Sequence, residues 1–311
     1  LCIYWVLHLD LKSGGSKMAK PKPIKINQVS KDFAKQQVLN NIDLTIEPET
    51  IYGLLGRNGA GKSTLFNIIT NRIPLSGGEV TIGGQTVTDN DDVLNRIYLM
   101  SEANLYPSRM RVKEIFKLTT QLYRGMDMTL AQTLAEQFEL NTDTRFNKLS
   151  TGSRSIMKLI IALAVDVDYV FLDEPTLGLD ANHRRLFYNA LLDSYAKRPR
   201  SFVISTHLIE EVSNLIERVW VLQNHQIIVD DTTENVLDKG FAITGPAADV
   251  EAYTAGLNVI GHEALGNLRV QYVYGELDGD RPIPDTISIS HIDLQRLFIY
   301  LTNQEVVTVE N

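Results

Sequence analysis

Cysteine is nearly absent from this sequence of 311 residues, in which Cys2 is the only one. With a single cysteine the chain can form no internal disulfide, which is typical of proteins that work in the reducing cytoplasm. Burial of apolar side chains must therefore stabilise the fold. The hydrophobic content of 44% is enough for one large domain, or for a large domain and a small one.

Long apolar runs are also lacking, and no stretch of about 18 apolar residues predicts a membrane span. "LCIYWVLHL" at 1–9 is too short, and two aspartates interrupt "LIIALAVDVDYVFL". The first run could be the core of a secretory signal, but no basic segment precedes it and "KSGGSKM" is a poor cleavage site. We prefer the interpretation that residues 1–17 precede the true start at Met18, with 1–23 forming a leader or disordered tail.

No basic stripe is present, and the net charge is −8. The four lysines between Lys17 and Lys25 are interpreted as part of a solvated tail. Nucleic acid is therefore not an expected partner. Internal repeats and low-complexity tracts are absent as well.

Glycine is concentrated in "IYGLLGRNGAGKSTLFNIIT" at 51–70, which predicts an apolar strand, a tight loop and an amphipathic helix. The glycines allow a backbone whose N–H groups point inward at phosphate oxygens. Lys62 can reach the terminal phosphates, the Ser63 hydroxyl can ligate Mg²⁺, and the helix N-terminus adds partial positive charge. The pattern predicts a nucleotide phosphate site formed by Gly56, Arg57, Asn58, Gly59, Ala60, Gly61, Lys62, Ser63 and Thr64.

Two carboxylates follow a buried apolar strand in "DYVFLDEPTLGLD" at 168–180. Parallel strands covered on both faces show such continuous apolar runs, and ligands bind at their carboxyl ends. Asp173 is predicted to hold Mg²⁺ through its water shell, and Glu174 to polarise the water that attacks the γ-phosphate. A third apolar run, "SFVIST", ends at His207, which can reach the γ-phosphate. The alternative for His207 is a loop histidine without a role.

Another segment, "KLSTGSRS" at 148–155, opens an apolar helix with small hydroxyl-bearing residues and one glycine. This is the composition of a second phosphate-binding segment, far along the chain from the first. A helix beginning at Thr151 would point the positive end of its dipole at an anion.

The segments "GRNGAGKST", "LSTGSRS", "FLDEPTLGLD" and "STH" occur in the order and spacing of the ATP-binding cassette ATPases, which the chain resembles from about 25 to 229. The resemblance implies an α/β P-loop NTPase fold, with a mixed sheet, flanking helices and a helical subdomain. Ser150, Thr151 and Gly152 match the family's signature, which binds a γ-phosphate. Two cassettes of the family pair head to tail, so that each ATP lies between one chain's P-loop and the other's signature. Asp180 matches the loop that connects the two sites.

The sequence departs from the family pattern in places. Thr151 replaces a usual glycine of the signature, although the neighbouring serine and glycine are kept. The family's glutamine ahead of the helical subdomain is missing from "IYLMSEANLYP", where Ser101 aligns with it. Glu102 is the preferred substitute near Mg²⁺, and Ser101 remains the alternative. The aromatic that supports adenine is expected to be Phe33, with core packing as its alternative role.

The resemblance implies an ATPase that uses ATP and Mg²⁺ as a cytoplasmic, peripheral protein on the inner face of the cell membrane. Its expected partners are a second cassette, identical or a sister subunit, and an integral membrane permease. "EPTLGLDANHR" and the C-terminal extension resemble cassettes of drug, bacteriocin or peptide-antibiotic exporters.

Two alternatives stay open, a soluble ATP-driven switch acting on ribosomes or DNA and a binding module with a degenerate site. The single cassette, the lack of zinc cysteines and the absence of sustained heptads argue against the switch. The retained Glu174 and His207 argue against the degenerate module.

The predicted domain organisation has two folded parts. Residues 24–235 are expected to form the ATPase domain, with its helical subdomain at about 102–150. The composition changes after Thr232, and residues 236–311 are predicted to form a small α+β accessory domain without a catalytic motif.

Overall fold

The computed structural model describes residues 21–34, 36–279 and 281–302. The predicted leader therefore lies outside the described residues, except for 21–23. The strands are β1 (Ile24–Phe33), β2 (Gln36–Ile46), β3 (Ile51–Leu55), β4 (Gly77–Ile82), β5 (Gln85–Thr86), β6 (Ile97–Met100), β7 (Tyr169–Asp173), β8 (Ser201–Ser205), β9 (Arg218–Gln223), β10 (Gln226–Thr232), β11 (Gly240–Pro246), β12 (Val259–Leu265), β13 (Leu268–Tyr274) and β14 (Ser288–His291).

Ten α-helices connect or cover these strands in the described part of the chain, and none is long and apolar enough to cross a bilayer. They are α1 (Lys62–Ile69), α2 (Asp91–Leu94), α3 (Val112–Leu122), α4 (Met128–Gln137), α5 (Thr151–Ala164), α6 (Ala181–Lys197), α7 (Ile209–Val212), α8 (Thr233–Asp238), α9 (Ala247–Thr254) and α10 (Leu294–Thr302).

The central sheet has six strands in the order β10-β9-β3-β8-β7-β6. All neighbouring pairs are parallel except β9 and β10, which are antiparallel at one edge. Every residue of β3, β7 and β8 is buried, as expected for parallel strands covered on both faces. Because β3, β8 and β7 are adjacent and parallel, the loops at their carboxyl ends meet at one edge of the sheet.

One face of the central sheet packs against α1 and the antiparallel sheet β2-β1-β4-β5. Alternate residues of the central strands point to this side, among them Tyr52, Leu54 and Phe171. The ring of Phe66 on α1 meets Phe171 edge-on, with centroids 5.1 Å apart. These contacts fix α1 against the sheet and so hold the loop before it.

The other face packs against α5, which has nine consecutive buried residues from Ile156 to Ala164. The helices α3 and α4 lie in the chain between β6 and α5 and share this core. Arg200 is buried beyond the end of α5, and its guanidinium donates to the carbonyls of Ala162, Leu163 and Val165. A cation at a helix C-terminus satisfies the last carbonyls and complements the helix dipole. Arg200 thus anchors the end of α5 that is remote from its exposed start.

The C-terminal strands form a third, antiparallel sheet in the order β12-β13-β11-β14. One face packs on α9, where Val250 and Tyr253 meet Ile243 and Val273. The opposite face is continuous with the core of the central sheet through Ala242, Tyr272 and Leu297, of which Leu297 belongs to α10. The helix α10 also contacts α7, which follows β8 and its terminal loop. The third sheet is therefore joined to the rest of the fold by shared apolar packing.

Candidate nucleotide site

The segment here called the P-loop (residues 56–64) comprises the turn after β3 and the first residues of α1, a helix that has no side-chain cap. Gly61 occupies the N-cap position at φ +114°, a backbone conformation that favours glycine. A Cβ at Gly61 would also lie 3.0 Å from the carbonyl oxygen of Val38. The first N–H groups of such a helix, together with its dipole, form an anion site.

Lys62 lies on the inner side of the P-loop with only 7% of its surface exposed. Its ammonium donates to the carbonyl of Gly56 at 2.7 Å and to that of Arg57 at 3.3 Å. Burial lowers the pKa of Lys62, and the carboxylates of Glu174 and Asp173 oppose that shift. The cation therefore lies close to both the loop carbonyls and the two acids.

Asp173 ends β7 and is paired in register with Ser205 at the end of β8. The Ser205 hydroxyl donates to Asp173 Oδ1 at 2.6 Å, and both residues are buried. The next residue is tied to the same point, since the Glu174 N–H donates to the Ser205 carbonyl at 2.9 Å. Ser205 was not among the predicted site residues. The parallel pairing of the two apolar strands is the signal that places it beside Asp173.

Glu174 has a backbone φ of +46°, which is uncommon outside glycine and concentrates at functional sites. Its side chain is 13% exposed, and its Oε2 lies 2.9 Å from His207 Nδ1. Because an ionised carboxylate only accepts, Nδ1 carries the proton in that bond. The predicted acid and the predicted histidine are thus joined directly.

The P-loop motif implies a magnesium ion, and the oxygens present fit one. Ser63 is exposed at the second position of α1, and the Asp173 carboxylate is held by Ser205. Mg²⁺ prefers oxygen ligands and commonly combines one or two carboxylates with water and substrate phosphates. No group of three or more His, Cys, Asp or Glu side chains able to hold a metal occurs among the described residues. The phosphates and water would therefore complete the coordination.

Phe33 lies at the end of β1 and is 47% exposed, which rules out core packing as its role. The Lys31 ammonium is 4.7 Å from the centroid of its ring. The same hairpin carries Val38 and Leu39, which border the space beside Gly61. An exposed aromatic ring on a hairpin that reaches the P-loop is compatible with stacking on a base.

The signature residues open α5 at the surface. Ser150 is the N-cap, and its Oγ accepts from the Ser153 N–H at 3.1 Å. A Cβ at Gly152 would lie 3.1 Å from the Gly178 carbonyl, so this helix start is close to the loop that follows Glu174. In the part of the chain that the structure describes, no hydrogen bond joins residues 150–152 to the P-loop.

Asp180 is the N-cap of α6, and its carboxylate accepts from the His183 N–H at 2.9 Å. Its second oxygen lies 2.8 Å from His183 Nδ1. The His183 ring stacks on Phe138, at the end of α4, with centroids 6.1 Å apart. The predicted connecting loop is thus tied to the helical part of the chain by a histidine that the motifs did not point to.

Residues 101–103 include Glu102 and Ser101, the two candidates for replacing the missing glutamine. This segment is held by hydrogen bonds to its main-chain carbonyls. The ammonium of Lys158, on α5, donates to the carbonyls of Ser101, Glu102 and Ala103 at 3.0, 2.9 and 3.0 Å. Burial lowers the pKa of Lys158, and Glu102 opposes that shift. Arg72 donates to the Ser101 hydroxyl at 3.2 Å. The side chain of Glu102 is exposed, and its predicted place near Mg²⁺ stays a prediction.

Comparison with known proteins agrees with the family resemblance found in the sequence. A family model described as ABC transporter matches residues 39–177. The ABC transporter ATP-binding protein YtrB of Bacillus subtilis is 30% identical over 69% of this chain and 72% of its own length. The Nod factor export ATP-binding protein I of Rhizobium meliloti is 29% identical over 71% of this chain and 68% of its own length. The petrobactin import ATP-binding protein YclP of Bacillus subtilis is 25% identical over 78% of this chain and 98% of its own length.

Solved structures support the fold. A structure titled as an ATP binding subunit of an ABC transporter superposes with a TM-score of 0.63 at 20% identity, covering 68% of this chain and 91% of the other. The ADP conformation of MJ1267, an ATP-binding cassette of an ABC transporter, superposes with a TM-score of 0.58 at 22% identity, covering 70% of this chain and 95% of the other. The chain belongs to the family of ABC transporter ATP-binding proteins and is an ATPase with the P-loop cassette fold.

Proposed function

We propose that this chain hydrolyses ATP to power a separate membrane permease, and that the complex exports drugs, peptides or antibiotics. The observation that carries the ATPase part is the group formed by Lys62, Asp173, Glu174 and His207 at one edge of the central sheet. Export is supported by the resemblance of "EPTLGLDANHR" to exporter cassettes and by relatives named for Nod factor export. Other relatives are named for import, so the direction needs its own test.

The P-loop side of the site binds and positions the nucleotide. The uncapped N–H groups at the start of α1 and the Lys62 ammonium face the β- and γ-phosphates, while Phe33 supports the adenine. Ser63 and Asp173 would hold Mg²⁺, whose charge would offset that of the phosphates. Ser205 fixes the Asp173 carboxylate through a hydrogen bond to Oδ1, which would leave Oδ2 to interact with the water shell of the ion. Glu102 remains the candidate for a further carboxylate on the metal side.

Glu174 orients the attacking water and accepts its proton. The hydrogen bond from His207 Nδ1 holds the carboxylate in place, and in the imidazolium form the other ring nitrogen can donate to a γ-phosphate oxygen. Phosphoryl transfer needs little more than such positioning and charge compensation. The positive φ of Glu174 turns the chain directly after β7.

A second chain supplies the remaining contacts. Ser150, Thr151 and Gly152 lie at an exposed helix start whose N–H groups and dipole favour an anion. Among the described residues, none of the three is hydrogen-bonded to the P-loop. Placed against a partner's nucleotide, they would bind the γ-phosphate. Asp180 follows Glu174 in a short loop that touches the start of α5, so it lies between the two halves of the site.

The division of the chain into parts remains a proposal as well. Residues 24–235 would form the ATPase domain, with the helical subdomain at about 102–150, which holds α3 and α4. Residues 236–311 would form the accessory domain, whose sheet starts at Gly240 after α8. The complex would lie at the inner face of the cell membrane beside its permease.

The bond between Ser205 and Asp173 should matter for the metal. Ser205→Ala removes the hydroxyl that orients the carboxylate, and such supporting contacts typically change metal affinity or activity by about 10- to 100-fold. The Mg²⁺ concentration that gives half-maximal ATP hydrolysis should rise by that order. Ser201→Ala is the matched control, since Ser201 is equally buried on β8 but donates to the Glu47 carbonyl at the far end. Equal effects of the two changes would remove Ser205 from the metal site.

Glu174→Gln tests the role of the acid. Glutamine keeps the shape but cannot accept a proton, so ATP turnover should fall by about 10²- to 10⁴-fold while ATP still binds. The variant should also elute as an ATP-bound dimer on gel filtration. Glu210→Gln, at an exposed position near His207, serves as the control and should keep full turnover. Normal turnover in Glu174→Gln would contradict the mechanism.

The transport part is tested with the membrane complex. The chain should copurify from detergent-solubilised membranes with a protein that has several membrane spans. In proteoliposomes with the ATPase facing outward, amphipathic peptides and drugs added outside should raise ATP hydrolysis, because an exporter takes its cargo from that side. Stimulation only by cargo placed inside would establish import. Copurification with ribosomes and no membrane protein would overturn the transport proposal.

A further inference from the structure

Lys158 is an unusual residue for its position. It lies on α5 between Met157 and Leu159, which are fully buried, and is itself only 5% exposed. Lysine is almost never buried to this degree unless its charge is compensated. The described ATP-site residues leave Lys158 without a role, so its contacts need an explanation of their own.

The ammonium of Lys158 is fully used. A lysine has three N–H donors, and here they meet three consecutive carbonyls, those of residues 101, 102 and 103. Three carbonyl oxygens that converge on one point repel each other when no cation lies between them. The conformation of this segment, which we call the 101–103 loop, therefore depends on the ammonium.

The 101–103 loop is held from a second direction. Arg72 follows α1, the helix that starts at the P-loop, and donates to the Leu99 carbonyl at 3.1 Å and to the Ser101 hydroxyl at 3.2 Å. One cation thus ties the loop to the nucleotide side of the fold, and the other ties it to α5. Lys158 lies eight residues after Ser150 on that helix, or about 12 Å along its axis.

We propose that Lys158 is a positioning residue for ATP hydrolysis, which joins the 101–103 loop to α5 so that the loop and the start of α5 move as one body. The link runs through main-chain carbonyls, so it does not need the glutamine that is missing from this segment. The inference rests on the proposed function, in which the start of α5 closes on a partner chain's nucleotide.

The test compares Lys158→Met, which keeps length and removes the donors, with the wild type and with Lys158→Arg. Lys158→Met should lower kcat by about tenfold, a typical size for loss of such coupling, and leave the KM for ATP within about twofold. Lys158→Arg should keep most of the wild-type kcat, because Arg200 shows that a guanidinium can hold three carbonyls in this fold. If Lys158→Met does not fold, Lys158→Gln takes its place.

Arg200→Lys is the matched control, because Arg200 binds carbonyls at the other end of α5 and does not touch the loop. It should lower the melting temperature without lowering kcat below that temperature. In the Glu174→Gln background, Lys158→Met should also weaken the ATP-bound dimer while ATP binding to the monomer is unchanged.

Two outcomes would overturn the inference. Wild-type kcat in Lys158→Met would do so, and so would an equal loss of kcat in Lys158→Met and in Arg200→Lys at the same loss of melting temperature. Failure of Glu174→Gln itself to form an ATP-bound dimer would count against the proposed function instead, and the kcat measurement would still decide the role of Lys158.

Discussion

The buried ammonium of Lys62 is the interaction on which the rest of the site depends. A charge with so little exposure is tolerated only when it is paired and hydrogen-bonded. Here two P-loop carbonyls and the nearby carboxylates of Asp173 and Glu174 compensate it. That pairing requires β3 and β7 to end at the same edge of one parallel sheet with β8 between them, which is the topology observed. The sheet topology and the P-loop together thus bring the Lys62 ammonium close to both carboxylates.

The loop that leaves this edge of the sheet connects the acid to the start of α5. Glu174 begins a short loop that passes the start of α5 and ends at Asp180, where α6 begins. The Ser155 hydroxyl donates to the Leu177 carbonyl at 3.0 Å, so this loop is fixed to α5 within one chain. A change at the acid can thus reach the exposed start of α5. This arrangement is suited to a site completed by a second chain.

The sequence predicts the phosphate-binding loop and the acids of the candidate site, but not the residues that are placed there by long-range contacts. The P-loop and the acids are local patterns, a glycine-rich turn before a helix and carboxylates after an apolar strand, so their structure follows from short-range rules. Ser205 could be found only once β7 and β8 were paired in register, which is a long-range fact. Lys158 lies in an apolar run where its burial depends on three carbonyls from a distant loop. Phe33 ends a strand whose other apolar residues are buried, so its exposure became clear only from the structure.

The central claim is that each ATP is shared by the P-loop of one chain and the start of α5 of another. The most direct test mixes two inactive variants, Lys62→Met, which lacks the P-loop cation, and Thr151→Asp, which places a negative charge at the exposed start of α5. Thr151→Asn, of the same shape without the charge, should stay active. In a mixed dimer one site has both halves intact and the other has neither, so ATP hydrolysis should return to about half the wild-type rate per mixed dimer. Mixed dimers that form, as shown by native mass spectrometry, and still hydrolyse no ATP would contradict the account.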